Sequence, residues 1–161
     1  MFNYNHNIFD TTAQSNILWT ILQNVTLNSW NRAMDIAAKI GDIEIVQWVH
    51  ENIQDCCTTY AMDYAARYGH FQVVKWLHEN RTEGCTTEAM DRAAENGHLE
   101  VVKFLHENRT EGCTTEAMNN AANNGHLEVV KWLHENSPAE CNSKAIKQAA
   151  NNNNWSAVAL M

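Results

Sequence analysis

Apolar positions along the chain fall into two alternating helical stripes, and the pair recurs every 28 residues. In the stretch Cys85 to Gly112, CTTEAMDRAAENGHLEVVKFLHENRTEG, residues Ala89, Met90, Ala93 and Ala94 are spaced to line one face of an α-helix. Val101, Val102 and Leu105 line a second helix, with Leu99 and Phe104 flanking them and Glu100, Lys103 and Glu107 on the far side. The same pattern returns from Cys57 as Ala61, Met62, Ala65, Ala66 and from Cys113 as Ala117, Met118, Ala121, Ala122. Two short helices cannot bury such faces alone, so the periodicity predicts stacked helix pairs, 29–56, 57–84, 85–112 and 113–140, with a partial unit over 141–161.

Start and stop signals agree with these bounds. The first helix of each unit is expected after Asn31, Thr59, Thr87, Thr115 and Ser143, whose side-chain oxygens can accept from an unpaired first-turn N–H. It is expected to stop at Gly41, Gly69, Gly97, Gly125 and Asn153, residues that tolerate the left-handed conformation closing a helix. Residues 1–28 carry Ile17, Leu18, Ile21 and Leu22 on one helical stripe and read as an N-terminal cap shielding the first full repeat.

Within the first helices the apolar stripe is constant, whereas the opposite positions change. That face reads Tyr60, Asp63, Tyr64, Arg67, Tyr68, then Glu88, Asp91, Arg92, Glu95, Asn96, then Glu116, Asn119, Asn120, Asn123, Asn124. A constant inner stripe behind a variable face suits partner binding. The expected site is therefore Tyr60, Asp63, Tyr64, Arg67, Tyr68, Glu88, Asp91, Arg92, Glu95, Asn119, Asn120 and Asn123, because aromatic and Arg side chains dominate interface energetics. The charged face of the second helices, Glu128, Lys131 and Glu135 among them, reads instead as solvated surface.

Other periodic columns have structural readings. Trp48, Trp76, Phe104 and Trp132 share one repeat position, where packing between layers outweighs base stacking in an acidic chain. His70, His98 and His126 begin the second helices, where capping is the preferred role. Neither they nor His78, His106 and His134 have zinc-ligand spacing, since column members lie a layer apart. Cys57, Cys85, Cys113 and Cys141 recur at one position with Cys56 beside the first; a layer separation of about 8–10 Å exceeds disulfide reach, so free thiols are expected.

Composition narrows the function. The net charge of −8, from 11 basic against 19 acidic residues, argues against a nucleic-acid partner. No apolar run is long enough to span a bilayer, and the first residues lack a secretory pattern, so no membrane role is expected and the sequons at Asn24, Asn80, Asn108 and Asn154 are expected to stay unmodified. The expected compartment is cytoplasm or nucleus. No phosphate loop, nucleophile elbow or metalloprotease motif is present, and Glu88 and Asp91 are expected on an open helical surface that would not perturb their pKa values. The chain reads as a non-enzyme with no cofactor.

The run AAENGHLEVVKFL, with its Ala-Ala pair, Gly-His turn and Glu-Val-Val-Lys-x-Leu helix, resembles the ankyrin repeat over about residues 29–161. The family's Thr-Pro-Leu-His start is replaced by Glu88-Ala89-Met90-Asp91. The period is also shorter than the usual length of about 33 residues, leaving Asn-Arg-Thr-Glu-Gly where a β-hairpin would project. The resemblance implies an all-α solenoid with reduced or absent hairpins, acting as a monomeric scaffold for a protein partner. Short repeats of the WLHENRTEGCTT kind look similar to those of ankyrin proteins in amoebae and their large DNA viruses, which would place a viral member inside the host cell. The contrasting expectation is a structural spacer or a fragment of a larger adaptor, suggested by the near-identity of the repeats and the end at Met161 inside a helix.

Overall fold

The computed structural model describes residues 32–53 and 56–136. The cap over 1–28, Asn31, Cys141, Ser143, Asn153 and the partial unit 141–161 lie outside the described residues, as do Asn24 and Asn154. Four helix pairs follow one another: α1 (Ala33–Ile40) and α2 (Ile43–Asn52), α3 (Thr59–Arg67) and α4 (Phe71–Asn80), α5 (Thr87–Glu95) and α6 (Leu99–Asn108), α7 (Thr115–Asn123) and α8 (Leu127–Asn136). Among the described residues there is no strand, and the architecture is an all-α helical-repeat solenoid. Only the six residues 81–86 join α4 to α5, so the expected short loop stands where a hairpin would project.

The first helices start one residue earlier than expected. Thr58, Thr86 and Thr114 are the caps, each hydroxyl accepting from the backbone N–H two residues on, at Tyr60 (3.1 Å), Glu88 (3.2 Å) and Glu116 (3.1 Å). Thr59, Thr87 and Thr115 are already helical. Two consecutive threonines each satisfy the chemical requirement of a cap, so sequence alone does not choose between them. Arg32 caps α1 without a side-chain bond.

The helix ends close as expected. Gly69 has φ of +73° and its N–H donates to the Ala66 carbonyl while His70 N–H donates to Ala65, a paired closure repeated after α5 and α7. At the C-termini of the outer helices, Asn52, Asn80, Asn108 and Asn136 each donate from Nδ2 to the carbonyl four residues back, at 2.8 to 2.9 Å.

Packing follows the small-residue stripe. Ala61, Ala65, Ala66 and their equivalents are at most 1% exposed, and their size lets α1, α3, α5 and α7 approach one another closely. Met62, Val74, Leu77 and their equivalents fill the space between inner and outer helices. Truncating fully buried Leu105 to Ala would cost about 2–5 kcal/mol, whereas enlarging Ala93 would strain the inner row by about 1–3 kcal/mol. Successive outer helices meet only lightly while inner helices pack along the whole described stack, so the layers bow toward the inner side. Trp76, Phe104 and Trp132 pack edge-on against His50, His78 and His106 of the preceding layer at 5.0 to 5.5 Å, which is the expected role for that column.

Candidate protein-binding face

The variable positions of the first helices divide into two sets. Tyr60, Arg67 and Tyr68 are exposed, Tyr64, Arg92, Glu95, Asn120 and Asn123 are half-buried, and Glu88 is exposed. Asp63, Asp91 and Asn119 do not join them: they are only 6%, 3% and 3% exposed. Their expected place on the binding face is corrected by what they hold. Asp63 accepts from the Thr86 N–H (2.9 Å) and hydroxyl (3.0 Å), and Asp91 accepts from the Thr114 N–H and hydroxyl, both at 2.8 Å. Asp35 binds Thr58 in the same way.

Each Asp thus fastens one layer to the cap of the next. Burial pushes the Asp63 and Asp91 carboxyls above the ordinary range, and the Thr bonds partly offset the rise. Asp91 is therefore not on an open surface beside Glu88. Asn119 stands at the equivalent place in α7, its Oδ1 buried and without a hydrogen-bond partner among the described residues.

What remains on the face is an aromatic and cationic cluster over the first two layers. Tyr60 and Tyr64, one helical turn apart, stack at 5.8 Å between ring centroids, and the Arg32 guanidinium lies 5.0 Å over the Tyr60 ring. Asp35 orients Arg32 through a 3.1 Å bond and raises its pKa. The Arg67 guanidinium lies 5.8 Å from the Tyr68 ring, which stacks on His70 at 6.1 Å. Ile40, one layer before Tyr68, is 36% exposed; Tyr60 and Tyr68 are 51% and 44% exposed. Arg32, Lys39 and Ile40 extend the expected face into the first layer, and the sequence signal for them is their register, 28 residues before Tyr60, Arg67 and Tyr68.

The next layer is different in kind. Arg92 bridges Glu88 (2.7 Å) and Glu95 (2.8 Å), which raises its pKa, chiefly through the Glu95 bond. Asn124 Nδ2 donates across the layers to the Glu95 carbonyl (2.8 Å). Over α5 and α7 the face is acidic, amide-rich and internally engaged.

Two periodic columns resolve into packing. His70 and His98 stand at the expected cap positions, yet neither side chain caps its own helix. The capping role is corrected: each ring lies on the glycine turn of the preceding layer, with His70 Nε2 3.2 Å from the Lys39 carbonyl and His98 hydrogen-bonded to the Arg67 carbonyl. Asp42 does cap α2, accepting from Glu44 and Ile45.

In the short loops Arg81 pairs with Glu83 and Arg109 with Glu111, and the Arg109 bond helps hold the Glu111 carboxyl at about 2. Cys56, Cys57 and Cys85 are free thiols; burial and then Glu83 or Glu111 push Cys57 and Cys85 up to about 12, far from a reactive thiolate. Among the described residues no three His, Cys, Asp or Glu side chains converge on a metal position, and no helix is long and apolar enough to cross a membrane.

The family model described as "Ankyrin repeats (3 copies)" matches residues 34–119 and again 90–161. The chain belongs to the ankyrin-repeat family. No curated protein matches it. Ankyrin repeats are generally protein–protein interaction modules, and the fold is a non-enzymatic one.

Proposed function

We propose that this ankyrin-repeat chain is a scaffold that captures a protein partner on the inner-helix face of its first layers, around Tyr60, Tyr64, Arg67 and Tyr68, with Arg92 and Glu95 at the margin. The observation that carries it is the placement of exposed large hydrophobics. Among the described residues these are Ile40, Tyr60 and Tyr68, and all three stand on the same side of α1 and α3. The core does not need them, since Ala61, Met62, Ala65 and Ala66 already fill the buried stripe. Local packing is a weak alternative explanation, because an exposed cation over an aromatic ring contributes only about 0.5–1 kcal/mol.

Residues 1–28 fit the same scheme as a cap and 141–161 as a partial fifth repeat, which would make the binding layers internal to the stack. Similarity of the short repeats to those of amoebae and their large viruses supports a host-cell interior as the setting, in cytoplasm or nucleus, with the chain acting as a monomer.

The test is the triple variant Tyr60→Ala, Tyr64→Ala, Arg67→Ala, compared with the parent chain in a lysate pull-down read by mass spectrometry and in a thermal melt. Specific capture should be lost while the melting temperature moves by a few degrees at most. A variant that melts much earlier yet still captures the same protein would reassign the tyrosines to packing. The Asn-Arg-Thr-Glu-Gly loops would then be the better site.

A further inference from the structure

The first two layers present a doublet that the later ones lack: a cation followed by a large exposed apolar residue, Lys39-Ile40 at the end of α1 and Arg67-Tyr68 at the end of α3. One period on, the same positions hold Glu95-Asn96 and then Asn123-Asn124. Among the described arginines Arg32, Arg81, Arg92 and Arg109 each hold a carboxylate, whereas Arg67 has no ionic partner among the described residues; Lys39, one layer before it, has none either, as is also true of Lys103 and Lys131 on the outer helices. In a chain of net charge −8, two adjacent cations left unneutralised beside exposed apolar groups are a local reversal of the overall field.

We infer that the face recognises an acidic segment of its protein partner, with carboxylates on Lys39 and Arg67 and an apolar side chain against Ile40, Tyr60 and Tyr68. This rests on the functional reading above and specifies the chemistry of the partner. The spacing follows from the stack. Equivalent positions of packed helices lie about 8–10 Å apart, and a polyproline II chain advances about 3.1 Å per residue with three residues per turn. Two acidic residues three positions apart in that conformation therefore share a face and match the two cations, with an intervening side chain turned aside toward the apolar groups. A second copy of this chain suits the face less well, because the stack bows toward its inner side and two inward-curving faces cannot seat fully against each other.

The test uses a displayed library of random twelve-residue peptides as the probe and the full chain as bait. Selected peptides should be enriched in Asp or Glu at i and i+3 with a large apolar residue between. A synthetic peptide of that type should bind more weakly as salt rises and lose on the order of tenfold affinity to the variant Lys39→Gln, Arg67→Gln. The charge reversal Lys39→Glu, Arg67→Glu should turn the selection toward basic peptides. Circular dichroism of both variants checks that the helices persist.

Neutral or basic peptides selected by the parent chain, or acidic ones indifferent to the charge variants, would overturn the inference. If such peptides still needed Tyr60 and Tyr64, the binding face itself would stand. Selection that ignores the tyrosines, or yields no binder, would sink both. A concentration-dependent dimer in light scattering, abolished by Arg67→Glu and accompanied by no selected peptide, would replace the acidic segment by a second copy.

Discussion

Asp91 offers the sharpest test of how the layers are joined. Its carboxylate is 3% exposed and accepts from both the N–H and the hydroxyl of Thr114 at 2.8 Å, while the same hydroxyl caps α7 by accepting from Glu116. A hydrogen bond to a charged group contributes about 1.5–3 kcal/mol, against which stands the cost of burying the carboxylate. Asp91→Ala also leaves the Thr114 N–H without its acceptor, so a net loss of about 3 kcal/mol is expected. Asp91→Asn keeps an acceptor for that N–H and should cost about 1 kcal/mol, in line with the Asn that α7 itself carries at position 119. Urea denaturation gives the magnitude, and hydrogen exchange over Thr114–Ala117 locates it, because a stack loses stability first at the weakened interface. A cycle with Thr114→Val should show coupling, since both changes remove the same bond. If Asp91→Ala costs no more than the exposed change Glu100→Ala, expected to lie within about 0.5 kcal/mol, or if Asp91→Asn costs as much as Asp91→Ala, the fastening between layers has been misread.

Two further outcomes follow from the glycine and histidine that meet between layers. Gly69 has φ of +73°, and a Cβ there would lie 2.5 Å from the His98 ring, so Gly69→Ala should cost more than about 1 kcal/mol in urea. Adding His98→Ala should then cost less than the sum of the two single changes. Burial holds the His98 pKa below 6.5, which means that between its folded and unfolded values the unfolded chain binds more protons. The His98 contribution to stability is therefore intact above pH 6.5 and lost as pH falls from there toward the folded value; titrating stability from pH 7.5 to 5.5 should show this slope, and His98→Gln should flatten it.

The stack itself was open to reading because its cause is periodic. Close-packed layers require small residues at i, i+4 and i+5, and the chain repeats them in register from Ala61, Ala89 and Ala117. The turns were equally legible, since a left-handed closure admits few residue types and Gly69, Gly97 and Gly125 recur there. The face was legible only in part. Helical projection placed Asp63 opposite the alanines, but projection describes one helix, and the group that buries Asp63 is Thr86, 23 residues downstream on the next layer. His98 was misassigned for the same reason: its position identifies a helix start, whereas its ring serves the preceding layer.

A contact made across a layer leaves one trace in a sequence of this kind, which is constancy at a position whose neighbours vary. Position 63 has it. Asp35, Asp63 and Asp91 stay the same while Tyr60, Tyr64, Arg67 and Tyr68 give way to Glu88, Arg92, Glu95 and Asn96. The distinction that separated the alanine stripe from the open face, applied position by position instead of face by face, assigns Asp63 and Asp91 to the interior and leaves the tyrosines and Arg67 outside. A fixed acid inside a repeat needs a fixed donor; both threonines of each pair recur at the next helix start, and the hydroxyl bonds that Thr86 and Thr114 donate to Asp63 and Asp91 decide between them. In α7 the acid gives way to Asn119, at the position from which Asp91 holds Thr114.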